Sequence, residues 1–396
     1  MIRYKEKLTD VEELLVLALK EEKTNKDNQK INSFYQKYGD EVIFESATYN
    51  KILPMVAHGL LESISAKELN SRWKKIHREA NSKLTLFFVE LDRLAAICDK
   101  KSIPIVAIEN GGVARGVQKC RGCFASSDLE ILVNREDLNI FEQILLSEGY
   151  EKESRERCAS EDPNELDREI VGWDNYCKLL EDGVVFWLNV QWRPILRRWI
   201  PMEKGLSTQD LIARSIPISD PNSYVRILSP EDNLLVCALH VASHSYVRGI
   251  GLRLQLDVDR LVRHVHIDWS IFVDLVKKHV AAELVYPSLA IPYSLLDTAI
   301  PKHVFEVLIP SQKKCSKILS LIAQARVLNR TDHKFSPLQI VKLELAIANG
   351  GIISGLKRVF FPPVLWIKEG YNYKNTNSVF LSYIYRLLNL SSRRQA

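Results

Sequence analysis

Apolar residues recur three and four positions apart in VEELLVLAL, YNKILPMVAHGLL and LTLFFVELDRLAAIC, which predicts a helical N-terminal region from about Leu8 to Asp99. Polar stretches such as EEKTNKDNQK separate these segments. At Ile103 the period changes: IPIVAIE is a short β-branched run that stops at Asn110-Gly111-Gly112, the pattern of a strand followed by a glycine turn. A second apolar run, LEILV, begins at Leu129. Asn134, with Asp137 three residues on, then marks the start of a helix, LNIFEQILLSEGY, and Gly149 stands where a left-handed terminus is expected. After the acidic stretch SEDPNELDRE, the runs NYCKLLE and VVFWLNVQW predict two strands joined by a hairpin turn at Asp182-Gly183. Period two places Trp187, Asn189 and Gln191 on one face of the second strand, and Phe186, Leu188 and Val190 on the other. From Ser229 the helical period returns in SPEDNLLVCALHVASH, with Pro230 opening the helix and Asp232 at its third position. It persists through LRLQLDVDRLVR and IFVDLVKKHV.

This order of elements predicts an α+β fold, a small mixed sheet built from about Ile103 to Trp192 and flanked by N- and C-terminal helical regions. The corresponding division is a helical region over 1–99, an α/β core over 100–200, a helical region over 201–340, and a helical segment over 341–396 with a basic tail from Ser391. No internal repeat interrupts it. At 396 residues, 46% hydrophobic and 26% charged, the chain has the composition of a globular protein, which excludes disordered, collagen-like and coiled-coil classes. A net charge of +5 is too dilute to imply a nucleic-acid partner, so any phosphate site must be local. The N-terminus lacks a signal-peptide pattern, and no window reaches about eighteen uncharged apolar residues. A cytoplasmic location without a transmembrane segment is expected. The seven cysteines are scattered except for Cys120 and Cys123, which suits reduced thiols and no structural disulfide.

Candidate chemistry concentrates between Asn110 and Val133. Asp128 and Glu130 are spaced i, i+2, so on a strand both carboxylates share one face about 7 Å apart, close enough to hold a hard divalent cation. Gly111 and Gly112 leave backbone N–H groups uncovered beside them, as a chain that wraps a phosphate requires. The plainer alternative is an exposed strand face and an ordinary turn. His240 and His244 lie four apart on one helical face, and Asp257 follows on the next helix. They would either line a cleft or pack the helices, with Asp257 pairing Arg253 or Arg260. A histidine-centred metal hydrolase is a weaker reading, because HxxxH here lacks the intervening Glu of a zinc protease. Cys120-Arg-Gly-Cys123 is a single CxxC whose neighbourhood in sequence supplies no further ligands, so it reads as a loop thiol pair. Lys119 and Arg121 flank it, in reach of a triphosphate or solvated. His58 falls among apolar residues at helical spacing and reads as a packed core histidine.

The ordered set IPIVAIENGGVARG, SDLEILVNREDL and LLSEGYE resembles the uncharacterised bacterial nucleotidyltransferase family of the DNA polymerase beta nucleotidyltransferase superfamily. WLNVQWRP, LSPEDNLLVCALHVASH with LRLQLDVDRLVR, and KRVFFPPVLWIKEGY extend the resemblance over most of the chain. It implies transfer of a nucleoside monophosphate from an NTP, ATP among the candidates, to an acceptor (small molecule, sugar, peptide or protein), with Mg2+-dependent release of pyrophosphate. Asp128 and Glu130 would hold Mg2+, Asn189 would occupy the third catalytic position, and Gly111, Gly112, Ser127, His240, His244 and Asp257 would face the nucleotide or acceptor. The chain departs from the family pattern at Asn189, where a third carboxylate is expected, and at Gln191, where a histidine is expected. It also departs at Glu130, an Asp in the pattern, and at Glu109-Asn110, where no lysine precedes the glycines. An amide ligates a metal without bringing charge, so the alternative is a catalytically degenerate binding or accessory protein.

Overall fold

The computed structural model describes residues 2–117, 120–124, 127–152, 172–180, 183–194, 206–247, 251–309, 311–328 and 337–361. The N-terminal region is helical as the periodicity predicts: α1 (Asp10–Leu19), α2 (Asn25–Tyr49), α3 (Leu53–Ser63) and α4 (Ser71–Asp99). Reciprocal capping boxes, Thr9 with Glu12 and Thr24 with Asp27, open α1 and α2. The polar run EEKTNKDNQK is therefore not simply a spacer, because the Thr24 cap starts a helix inside it. That helix breaks at Gly39, whose φ of +77° is left-handed. Gly59 lets α3 cross α1, since a Cβ there would stand 1.9 Å from the Ala18 carbonyl oxygen.

Among the described residues, seven strands form one mixed sheet in the order β3-β4-β5-β2-β1-β7-β6. They are β1 (Val106–Ile108), β2 (Leu129–Leu132), β3 (Glu151–Lys152), β4 (Trp173–Leu179), β5 (Val185–Gln191), β6 (Ile216–Pro217) and β7 (Arg226–Ile227). The β4–β5 hairpin follows the sequence expectation, and Gly183 adopts φ +72° at its turn. Two features differ from it. The sheet does not end near Trp192, because the two-residue strands β6 and β7 add to the free edge of β1. Nor do Asn110-Gly111-Gly112 make a turn. Helix α5 (Glu109–Gly116) starts directly after β1, and the glycines belong to its first turn. Their missing side chains serve close packing: a Cβ on Gly111 would lie 2.7 Å from the Glu130 carbonyl oxygen, and one on Gly112 would lie 2.9 Å from that of Ala107.

Helix α6 (Leu138–Ser147) follows β2, and the left-handed Gly149 lies just beyond it. The C-terminal helices are α7 (Thr208–Arg214), α8 (Pro230–Ser243), α9 (Gly251–His264), α10 (Trp269–His279), α11 (Ala282–Leu295), α12 (Lys302–Leu308), α13 (Gln312–Ala325) and α14 (Pro337–Phe360). Ser229 caps α8 by accepting from the Asp232 N–H, with Pro230 at the first position, as expected. The buried apolar residues form one cluster reaching from Tyr4 to Leu345, so both helical regions share a core with the sheet. No helix among the described residues is long and apolar enough to cross a membrane. Lys119, Asp182, the acidic stretch, most of KRVFFPPVLWIKEGY and the basic tail lie outside the described residues.

Glu90 ties α4 to the sheet. Only 7% exposed, it accepts from Arg93, from the Tyr150 hydroxyl at 2.8 Å and from Lys178 Nζ of β4 at 3.0 Å. Burial pushes its carboxyl up, but hydrogen bonds from Arg93, Tyr150 and Lys178 outweigh burial and hold it at about 2. A pKa depressed below the ordinary carboxylate value contributes stability that is fully present above about pH 4.5 and is lost as the pH falls toward about 2. Urea unfolding across that window is expected to lose up to about 3 kcal/mol from this group, and Glu90→Gln to flatten the profile while destabilising the protein at neutral pH. A mutant profile as steep as the wild type would contradict this role.

Candidate active site

The site is built on the middle of the sheet. Strand β2 runs parallel to β5 and antiparallel to β1, with Glu130 opposite Asn189 on one side and Ile108 on the other. Asn189 in turn stands opposite Asn175 and donates from Nδ2 to its Oδ1 at 2.8 Å. Glu130, Asn189 and Asn175 therefore form one row on one face. Glu130 is buried, and it accepts from Asn110 Nδ2 at 3.0 Å and from the Gly111 N–H at 3.3 Å. Its carboxylate thus sits on the N-terminus of α5, where unpaired backbone donors favour negative charge. Asp128 precedes the first ladder residue of β2, two positions from Glu130, and accepts from the exposed Ser127 hydroxyl at 3.1 Å.

Glu109 joins these acids from the end of β1. It occupies a left-handed conformation, φ +48°, unusual for a residue with a side chain, and is 3% exposed. Burial and the charges of Asp257 and Asp128 push it up to about 8, against a hydrogen bond from Gln191 and the charge of Arg253. Burial likewise drives Glu130 well above the carboxylate range, followed by repulsion from Asp128 and Glu109. Burial raises Asp257 of α9 to about 6, opposed by Arg253 and Arg260. His240 of α8 moves the other way. Burial, then His244 and Arg253, holds it well below its ordinary value, so its 3.2 Å contact between Nδ1 and Glu109 Oε2 is that of a neutral imidazole. The His244 ring meets that of His240 edge to face at 4.9 Å.

Arg253 is the cation of this cluster. It is 4% exposed, one turn before Asp257 on α9, and its guanidinium lies over the Phe124 ring at 5.4 Å from the centroid. Its Nε and Nη2 have no hydrogen-bond partner, and neither do the buried oxygens Oδ1 of Asn110, Oδ1 of Asn189 and Oε1 of Gln191. Native interiors rarely leave such groups unpaired unless something else occupies them. Carboxylate and amide oxygens are the donor set of a hard divalent cation, and a guanidinium with open donors suits a phosphate. The residues present fit magnesium.

The family whose members are described as uncharacterised nucleotidyltransferases matches residues 39–297, more than half of the chain. The chain belongs to that family. Membership indicates nucleotidyltransferase activity in general, and the matched span runs from within α2 into the turn after α11, enclosing every residue of the cluster. No curated protein and no solved structure matches the chain.

Asp128, Glu130, Asn189, His240, His244 and Asp257 come together from four parts of the fold: β2 with the residue before it, β5, α8 with its C-cap, and α9. Gly111 and Gly112 stand beside them, but their missing side chains are accounted for by the approach of α5 to β1 and β2. Ser127 touches Asp128 from the exposed side. Glu109 and Arg253 were not singled out as site residues by the sequence, although an acid ending the apolar run IPIVAIE was a visible signal for the first. His58 departs from its expected core packing: it is partly exposed and lies beside His77 and Cys120, apart from the acids. Gly111→Ala is expected to force α5 away from β2 and to cost about 1–3 kcal/mol in urea unfolding. An unchanged midpoint would show that the helix does not need this close approach.

Proposed function

We propose that the chain transfers a nucleoside monophosphate from an NTP to an acceptor, a small molecule, sugar, peptide or protein, with release of pyrophosphate. The observation that carries this reading is the convergence of Glu109, Glu130 and Asp257 on Arg253, whose Nε and Nη2 have no hydrogen-bond partner, with Asp128 beside Glu109 and Glu130. Asp128 and Glu130 hold Mg2+, with the Asn189 amide oxygen as a neutral neighbour. The chemistry Mg2+ supplies when held there is neutralisation of phosphate charge and acidification of an attacking hydroxyl. Arg253 binds phosphate oxygens through Nε and Nη2, and its position over Phe124 keeps it aimed inward. Asn110 and the Gly111 N–H fix the Glu130 carboxylate, so the acid is oriented before any ligand arrives.

The degenerate alternative rests on the carboxylate missing at Asn189. Glu109 bears on it as a further acid in the same space: burial and neighbouring acids raise it to about 8, so it would bring the charge that an amide leaves out when a bound cation draws its proton away. ATP, GTP, CTP and UTP titrated calorimetrically with Mg2+ are expected to show binding of at least one nucleotide, weakened about tenfold or more in Asp128→Asn. Identical isotherms for the two proteins would overturn the proposal. Arg253→Ala is expected to weaken nucleotide binding by about tenfold or more while leaving Mn2+ binding, followed by its paramagnetic effect on water, within about a factor of two. Loss of both together would move Arg253 from phosphate recognition to structural support.

A further inference from the structure

On the opposite side of helix α5 from β1 in chain order, the loop that leads to Asp128 carries Cys120 and Cys123 at the two ends of a single 3-10 turn, Arg121–Cys123 with its cap. His58 comes to this turn from α3 and His77 from α4. One donor atom from each of the four residues lies within 4.8 Å of all the others. Three of the separations are 3.2 Å for His77 Nε2 to Cys120 Sγ, 3.9 Å for His58 Nδ1 to Cys120 Sγ, and 3.9 Å for His77 Nε2 to Cys123 Sγ. A tetrahedron with zinc–sulfur bonds of about 2.3 Å and zinc–nitrogen bonds of about 2.0 Å has edges of about 3.3–3.8 Å. The three separations are close to those edges, and none of the six exceeds 4.8 Å.

We propose that His58, His77, Cys120 and Cys123 bind a structural zinc ion, which staples the loop before Asp128 to the N-terminal helices. The donor set is two thiolates and two imidazoles, which favours zinc over the hard cations suited to the acid cluster. All four positions are protein ligands, so the site is closed and structural.

Two further details fit a built site. His58 presents Nδ1 to the thiol while its Nε2 meets Glu62 Oε1 at 3.0 Å, and Glu62 is itself paired with Lys23 at 2.8 Å. A carboxylate behind the free ring nitrogen fixes the tautomer and orientation a metal-binding imidazole needs. Gly122, between the cysteines, has no room for a side chain: a Cβ there would stand 2.4 Å from His77 Nε2. The sequence Cys-Arg-Gly-Cys thus lets the imidazole reach over the turn. His58, Cys120 and Cys123 also line a cleft of about 260 Å³ between α1, α3 and α9, which gives the ion a way in.

Metal analysis of the full-length protein, purified under reducing conditions without chelator, decides the matter. About one zinc per chain is expected in the wild type and in Asp128→Asn, falling by about tenfold or more in the double variant Cys120→Ser, Cys123→Ser. Should the double variant not fold, Co2+ reconstitution of the wild type replaces it. Thiolate-to-cobalt charge transfer in the near ultraviolet, with the intense visible bands of a tetrahedral ion, is then expected, and His77→Cys is expected to add thiolate character to that spectrum. Wild-type protein without zinc, a Cys120–Cys123 disulfide in place of the metal, or the weak visible spectrum of six-coordinate cobalt would each overturn the site. Because Asp128→Asn leaves this site intact, its outcome is independent of the nucleotide-binding test.

Discussion

Three buried carboxylates, Glu109, Glu130 and Asp257, share one space with the partly exposed Asp128, and burial raises the cost of ionising each of the three. Removing ions from water costs several kcal/mol apiece unless partners repay it. The fold repays part of it: Asn110 and Gly111 donate to Glu130, Gln191 donates to Glu109, and Arg253 opposes all three charges. In the proposed function a divalent cation would repay the rest. Much of the local backbone follows from this constraint. Glycine at 111 lets α5 bring its N-terminus against Glu130, and the left-handed Glu109 turns its carboxylate into the same space instead of continuing the strand.

What the sequence made legible is what depends on near neighbours. The alternation in VVFWLNVQW and the Ser229 cap are local patterns, and both appear in the structure where the sequence places them; of the i, i+2 acids, Glu130 lies in β2 and Asp128 just before it. The helix α5 was not legible because two glycines disfavour a helix by about 1 kcal/mol each, whereas close packing on β1 and β2 demands them. Strands β6 and β7 have two residues each, too short for any period, and exist because the edge of β1 offers backbone partners. The same division holds at the site. Asp128 and Glu130 announce themselves, but Arg253 and Asp257 reach them only through the packing of α9 against α5 and α8. The partners of Cys120 lie 43 and 62 residues away, at His77 and His58, beyond any spacing rule for a single CxxC.

The molecule thereby separates two kinds of coordination chemistry along one short stretch of chain. Sulfur and imidazole donors gather at Cys120 and Cys123, and carboxylate oxygens gather at Asp128 and Glu130. The aromatic ring of Phe124, next after Cys123, lies under the Arg253 guanidinium. The proposed zinc site and the proposed phosphate-binding arginine thus meet at one cation–π contact.

The direct measurement of the acid cluster is anomalous diffraction from crystals of the protein soaked in Mn2+, which replaces Mg2+ on oxygen ligands and scatters strongly enough to locate. The account requires a peak among the carboxylates of Glu109, Asp128, Glu130 and Asp257. Manganese found only elsewhere on the protein, with that space filled by water or side chains, would contradict it.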